Sequence, residues 1–179
     1  MFSPEKSVLV VIDVQEKLTP LAREKDTLLK NIQILIQAAQ ILDIPILWSE
    51  HVPVKIGVTV ESVRRSMPTQ KPIIKTSFSC GGEENFTKAL AALYRKQIIV
   101  TGIETHVCVY QTVAQLLGAS YKVQVVSDAV SSRAPENKEI GLARMRSEGG
   151  VITSTEMVLF ELLKTAEHRQ FRNILDLVR

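Results

Sequence analysis

Cys108 stands six residues after Gly102 in the stretch TGIETHVCVYQTV, where an apolar run gives way to helical spacing. A thiol at such a place is a candidate nucleophile, but a free cysteine titrates near ~8.5 and carries its proton at neutral pH. It needs a base and a positive field. Asp13 closes the apolar run SVLVVID and Lys75 closes PIIK. A carboxylate can take the thiol proton and return it to a leaving amine. An ammonium, together with the free N–H groups of a helical first turn, would favour a thiolate and bind an oxyanion. The expectation is therefore a thiolate at Cys108, held by Lys75 and the helix end, with Asp13 as proton carrier. His106, two positions before Cys108, points to a different helical face and ranks behind Asp13 as the base.

These residues can cooperate only if the chain brings the ends of its apolar runs to one edge. Short, mostly apolar runs occupy 7–13, 44–50, 72–75, 97–102, 122–128 and 149–155. Between them Leu28, Ile32, Leu35 and Ala39, then Phe86, Leu90 and Leu93, then Val109, Val113 and Leu116 fall at helical spacing. Runs of this kind read as strands covered on both faces. Their alternation with helices implies right-handed crossovers and a parallel sheet between two helical layers. Ligands then gather beyond the carboxyl ends of the strands, where strand order reverses. Asp13, Glu50, Lys75 and Asp128 end four of the runs, and a fifth leads to Cys108. Gln15, Glu50 and Phe78 are the expected substrate contacts, with Trp48 assigned to the core. The segment 51–72, which holds Pro53, Gly57, Pro68 and Pro72, is expected to cross the site. Phe171, Ile174, Leu175 and Val178 mark a terminal amphipathic helix, covered by the domain or by a second copy.

Composition narrows the function. The chain of 179 residues, 45% hydrophobic, suits one domain over 1–179. Its 22 basic residues are dispersed among 19 acidic ones, which gives nucleic-acid binding no support. No apolar run approaches the ~20 residues of a membrane span, and MFSPEKSVLVVIDVQ lacks a signal-peptide layout, so a cytoplasmic protein is expected. Cys80 and Cys108 form no CxxC pair, and Cys80, in the turn SFSCGG, reads as incidental. The stretch IDVQEKLTP has no glycine with which to cradle a dinucleotide phosphate. The three histidines, His51, His106 and His168, are far apart, and no metal or other cofactor is expected.

At LVVIDVQ, IIKTSFSC, VTGIETHVCVYQTV and VVSDAVSS the sequence resembles the isochorismatase-like cysteine hydrolases, and the resemblance runs over nearly the whole chain. It implies a three-layer, Rossmann-like α/β/α fold with a six-stranded parallel sheet in the order 3-2-1-4-5-6. It implies Asp13, Lys75 and Cys108 as catalytic residues, a non-proline cis bond at Ile103-Glu104, and an oxyanion site from the N–H groups of Glu104 and Cys108. Homo-oligomers, dimers or larger rings, are the usual assembly. Zinc-dependent nicotinamidases of the same superfamily carry an aspartate and two histidines where this chain reads Ser49-Glu50-His51. Thr105-His106 replaces the common Thr-Asp, as in the eukaryotic isochorismatase-domain branch. The resemblance thus implies a cofactor-free hydrolase cleaving a C–N bond in a small amide or carbamoyl compound. The alternative is a non-catalytic or nucleotide-binding α/β protein.

Overall fold

The first strand, β1 (Ser7–Ile12), is buried at every position, as an apolar run between two helical layers must be. The computed structural model describes residues 1–179. After β1 come α1 (Lys25–Ile41), β2 (Ile46–His51), the one-turn helices α2 (Pro53–Ile56) and α3 (Glu61–Arg64), and β3 (Ile73–Lys75). Then follow α4 (Glu84–Ala92), β4 (Gln97–Ile103), α5 (Tyr110–Gly118), β5 (Lys122–Ser131), α6 (Pro135–Ser147), β6 (Val151–Thr153), α7 (Thr155–Leu163) and α8 (Phe171–Val178). All six strands pair in parallel in the order β3-β2-β1-β4-β5-β6, the order the resemblance implied. The order reverses between β1 and β4, which places the ends of these two strands beside a crevice.

Strand alternation sorts the side chains into two cores. Leu9, Val11, Trp48 and Ile103 join α1, α7 and α8 on one face. Val8, Val10, Ile12, Cys80 and Cys108 join α4 and α5 on the other. Gly102 lets β4 lie against β1 at the crevice. Its φ is +123°, and a Cβ there would stand 2.1 Å from the Ile12 carbonyl oxygen, so no other residue fits.

One sequence expectation changes and two become specific. The fifth strand continues to Ser131 rather than ending at Asp128, after a register shift between Val100 and Gly102. The first half of segment 51–72 runs beside the end of β1, where Val14, Glu16 and Lys17 pair with Val60, Val58 and Ile56, and the second half packs on α1. Val63 and Met67 are buried against α1, and Gln33 and Gln40 donate to the Ser62 and Ser66 carbonyls. The apolar stripe of α8 is covered by its own domain: Ile174 is fully buried, and Phe171, Leu177 and Val178 pack on the same core. Helix α6 has no apolar stripe, since only Gly141 and Met145 are buried, which is why periodicity does not show it. No helix is long and apolar enough to cross a membrane.

Candidate active site

Asp13 follows β1 in a left-handed conformation (φ 49°), which an aspartate tolerates better than most residues. This turn directs its carboxylate across the end of β2. Lys75, the last residue of β3, lies with its ammonium 2.7 Å from Asp13 Oδ2, and both side chains are fully buried. The ammonium also donates to the carbonyls of Ser77 (3.1 Å) and Phe78 (2.8 Å). Its three protons thus have three acceptors. Burial is the largest single influence on Lys75 and opposes its charge, but the Asp13 carboxylate and the neighbouring cysteines together hold the ammonium above its ordinary range.

The loop that supplies those carbonyls is organised by Glu83. Its Oε1 accepts from the backbone N–H of Thr76 and Ser77 and from the Ser77 hydroxyl. These hydrogen bonds lower the Glu83 carboxyl below its usual range. The other Asp13 oxygen, Oδ1, accepts from the Ser49 hydroxyl at 2.8 Å. Oδ2 is buried and takes the Lys75 ammonium at 2.7 Å with one of its two lone pairs. One lone pair of the carboxylate is therefore open to a further proton.

Cys108 occupies a π-helical turn, Thr105–Val109, that joins β4 to α5. The turn is clamped from two sides. The Thr112 hydroxyl donates to the Cys108 carbonyl (2.7 Å) and accepts from the Cys80 N–H (2.9 Å). On the far side Gly141 of α6 brings backbone within close contact of Thr105 and His106, where a Cβ would have 3.1 Å. The thiol is buried, with 6% of the residue exposed. Burial, then the negative charge of Asp13, push it up to about 12; Lys75 pulls the other way and loses. The expected resting thiolate is thus corrected. Cys108 rests as a thiol, and the hydrogen bond that helps raise it is made to Asp13.

The other named residues divide. Gln15 is fully buried, and its amide is used by backbone: it donates to the carbonyls of His51 (3.0 Å) and Gly57 (2.5 Å) and accepts from the His51 N–H (2.7 Å). It fastens the 51–60 segment to the end of β1 and offers a ligand nothing. Glu50 points to the opposite face of the sheet from Ser49 and Lys75, because neighbouring strand residues alternate. There its Oε1 accepts from the Thr59 N–H at 2.7 Å. Asp128 caps α7 by accepting from the Thr155 N–H and hydroxyl, each at 2.9 Å. The bond between Ile103 and Glu104 is cis. The Ile103 side chain is in the core and the Glu104 carboxylate accepts from the Arg133 N–H, so only their backbone can face the crevice.

Phe78 remains at the rim, 52% exposed, with its ring 5.4 Å from that of His51. His51 was not among the expected contacts. It shares the parity of Leu47 and Ser49, and that pattern could have found it. Burial and then the Lys75 ammonium lower its imidazole, which is neutral at pH 7, and its Nδ1 is buried without a partner. His106 turns away, with Nδ1 3.0 Å from the Ser132 hydroxyl. No three His, Cys, Asp or Glu side chains are grouped at metal-ligand spacing.

Comparison with known proteins agrees with this geometry. The isochorismatase domain model matches residues 7–157. The secreted isochorismatase effector Isc1 of Phytophthora sojae is 35% identical over 182 residues, covering 98% of this chain and 86% of that protein. Among solved structures, the MAR1 ribonuclease of Caenorhabditis elegans superposes with a TM-score of 0.93 at 32% identity, covering 99% of this chain and 91% of that one. YcaC from Pseudomonas aeruginosa, solved with hexane-2,5-diol and covalent acrylamide, superposes at 0.91 with 25% identity, covering 98% and 90%.

Proposed function

Because this chain belongs to the isochorismatase family, we propose that its buried Asp13, Lys75 and Cys108 make it a cysteine-dependent hydrolase of the C–N bond in small amide or carbamoyl compounds. The observation that carries the reading is a buried carboxylate, tied to Ser49 on one oxygen and to Lys75 on the other, in hydrogen-bond contact with a protonated thiol. In the proposed reaction Cys108 Sγ attacks the substrate carbonyl carbon while its proton moves to Asp13. The oxyanion is taken up by the backbone N–H groups of Glu104 and Cys108. Collapse breaks the C–N bond, and Asp13 gives the proton to the departing amine. Water then attacks the thioester, Asp13 receives its proton, the acid leaves, and Cys108 regains its hydrogen.

Lys75 keeps Asp13 ionised between these transfers without giving up a proton itself. Phe78 and the neutral His51 ring form the rim against which a planar substrate would lie. A nucleophile with only 6% of its residue exposed suits a small molecule better than an RNA strand. A covalent acrylamide in a relative fits a reactive site that admits a small amide, and that relative's adduct motivates the probe below. A secreted relative means that family membership alone fixes no compartment.

The test is a panel of small amides, carbamoyl compounds and RNA, run with wild type and Cys108→Ala, with mass spectrometry of the quenched enzyme. The reading expects release of amine or ammonia, an acyl mass on Cys108, and complete loss in the alanine variant at unchanged secondary structure. RNA cleavage with no amide turnover, or undiminished turnover by Cys108→Ala, would overturn it.

A further inference from the structure

Asp13 must present one oxygen to Cys108 and Lys75 while the other is held, and the holding is done by residues outside the catalytic set. Ser49 Oγ donates to Asp13 Oδ1 at 2.8 Å, and Cys80 Sγ donates to Ser49 Oγ at 3.5 Å. Asp13, Ser49 and Cys80 are each at most 1% exposed. A hydroxyl proton can point in several directions. A donor on one side of the oxygen and a carboxylate on the other leave it only one that satisfies all three groups.

We infer that Ser49 and Cys80 are positioning residues, a fixed chain from the Cys80 thiol through the Ser49 hydroxyl to Asp13 Oδ1, which with Lys75 on Oδ2 locks the carboxylate in its place beside the Cys108 thiol. The inference rests on the hydrolase reading and extends it to two residues that never touch substrate. The origin of the chain is itself fixed. The Cys80 N–H is bound to Thr112, which also holds the Cys108 carbonyl, so donor and nucleophile are registered by one side chain. Burial, first of all, pushes the Cys80 thiol up to about 11, so it remains a donor over the working pH range. The turn that places Cys80 is tied down in turn by Ser79, whose hydroxyl donates to Gln115 Oε1 and accepts from the Gly81 N–H.

The charged and titratable groups around the Asp13 carboxylate are Lys75 from β3, Cys108 from the π-helical turn, Cys80 from the turn before α4, and His51 at the end of β2. Ser49 is the uncharged one, so its removal changes a hydrogen bond and leaves the charges in place. The carboxylate form loses that bond and its acid form does not.

The experiment measures site-resolved alkylation of Cys108 by iodoacetamide against pH, a readout that needs no substrate. Wild type should show a limb, absent in Asp13→Asn, on which the rate falls as the proton acceptor is lost. In Ser49→Ala that acid limb should move up by roughly one pH unit, about tenfold in rate on the limb, the size expected of one hydrogen bond to a charged group. Ser49→Thr should restore it. Cys80→Ala should move the limb in the same direction by less, and Cys80→Ser should not move it. Limbs that stay in place while only the melting temperatures drop would overturn the inference and leave the hydrolase reading standing. An acid limb that Asp13→Asn leaves unchanged would overturn both.

Discussion

Replacing Lys75 with methionine removes the countercharge from a carboxylate that has no access to water. Both side chains of the pair are fully buried at 2.7 Å. Deleting one partner of such a pair costs about 3–5 kcal/mol, chiefly because the remaining charge is stranded. The carbonyls of Ser77 and Phe78 also lose their charged donor. For a domain with a total stability of about 5–15 kcal/mol this is a large fraction, and at roughly 2–4 °C per kcal/mol the melting temperature should fall by about 10 °C or more. The deficit should shrink in acid, because protonating Asp13 removes the stranded charge. Asp13→Leu combined with Lys75→Met should melt well above the single variant and remain inert toward substrate, since an apolar pair replaces the ion pair at similar volume. Thermal unfolding followed by circular dichroism at neutral and mildly acid pH measures all three. A single variant as stable as wild type at both pH values, or a double variant that recovers nothing, would refute the account of Lys75 as the buried countercharge.

Two further outcomes follow from the same geometry. Gly102→Ala should cost more than ~3 kcal/mol and reduce soluble yield, because the new Cβ meets the Ile12 carbonyl oxygen at 2.1 Å where φ is already +123°; urea unfolding reads this directly. The ultraviolet absorbance of thiolate should show no step near neutral pH, since Cys108 is pushed up to about 12 and Cys80 to about 11. A raised thiol contributes stability that is complete below the unfolded value of ~8.5 and is lost as pH rises through the folded one. Alkaline titration should therefore bring thiolate absorbance and unfolding together. A thiolate step near neutrality in the folded protein would contradict the burial argument.

The sheet was legible because its strands are short apolar runs covered on both sides, a pattern that β1 carries without a single exposed residue. Asp13 and Lys75 were legible for the related reason that a charged residue closing such a run has one place to go. Parity was harder to read. Glu50 and Ser49 are adjacent in β2, and the more conspicuous carboxylate was taken for the site while the serine beside it holds Asp13. The alternation Leu47, Ser49, His51 would have separated them. Asp128 looked like a strand end because the register shift that lengthens β5 is set by its pairing with β4, which periodicity within β5 cannot show. Helix α6 touches the nucleophile turn through Gly141, and a contact made by the absence of a side chain leaves no apolar stripe behind.

The charge state of Cys108 was the least legible feature, and it decides how the chemistry can run. Composition around a thiol suggests a thiolate when a lysine and a helix start are near, but burial and a carboxylate act against it, and here they prevail. The reason is arithmetic: with Asp13 ionised, a thiolate would place two anions beside one ammonium, in a site where Cys108 is 6% exposed and water screens little. Asp13 and Cys108 therefore behave as a pair that holds one proton between them. That proton can leave sulfur for Asp13 without any net change in the charge of the site, and negative charge then grows on the substrate oxygen as the new C–S bond forms. In the proposed reaction, activation at Cys108 is thus tied to the arrival of an electrophile whose bond to sulfur forms as the proton leaves. The same tie explains why the orientation of one carboxylate oxygen matters enough to be fixed by Ser49.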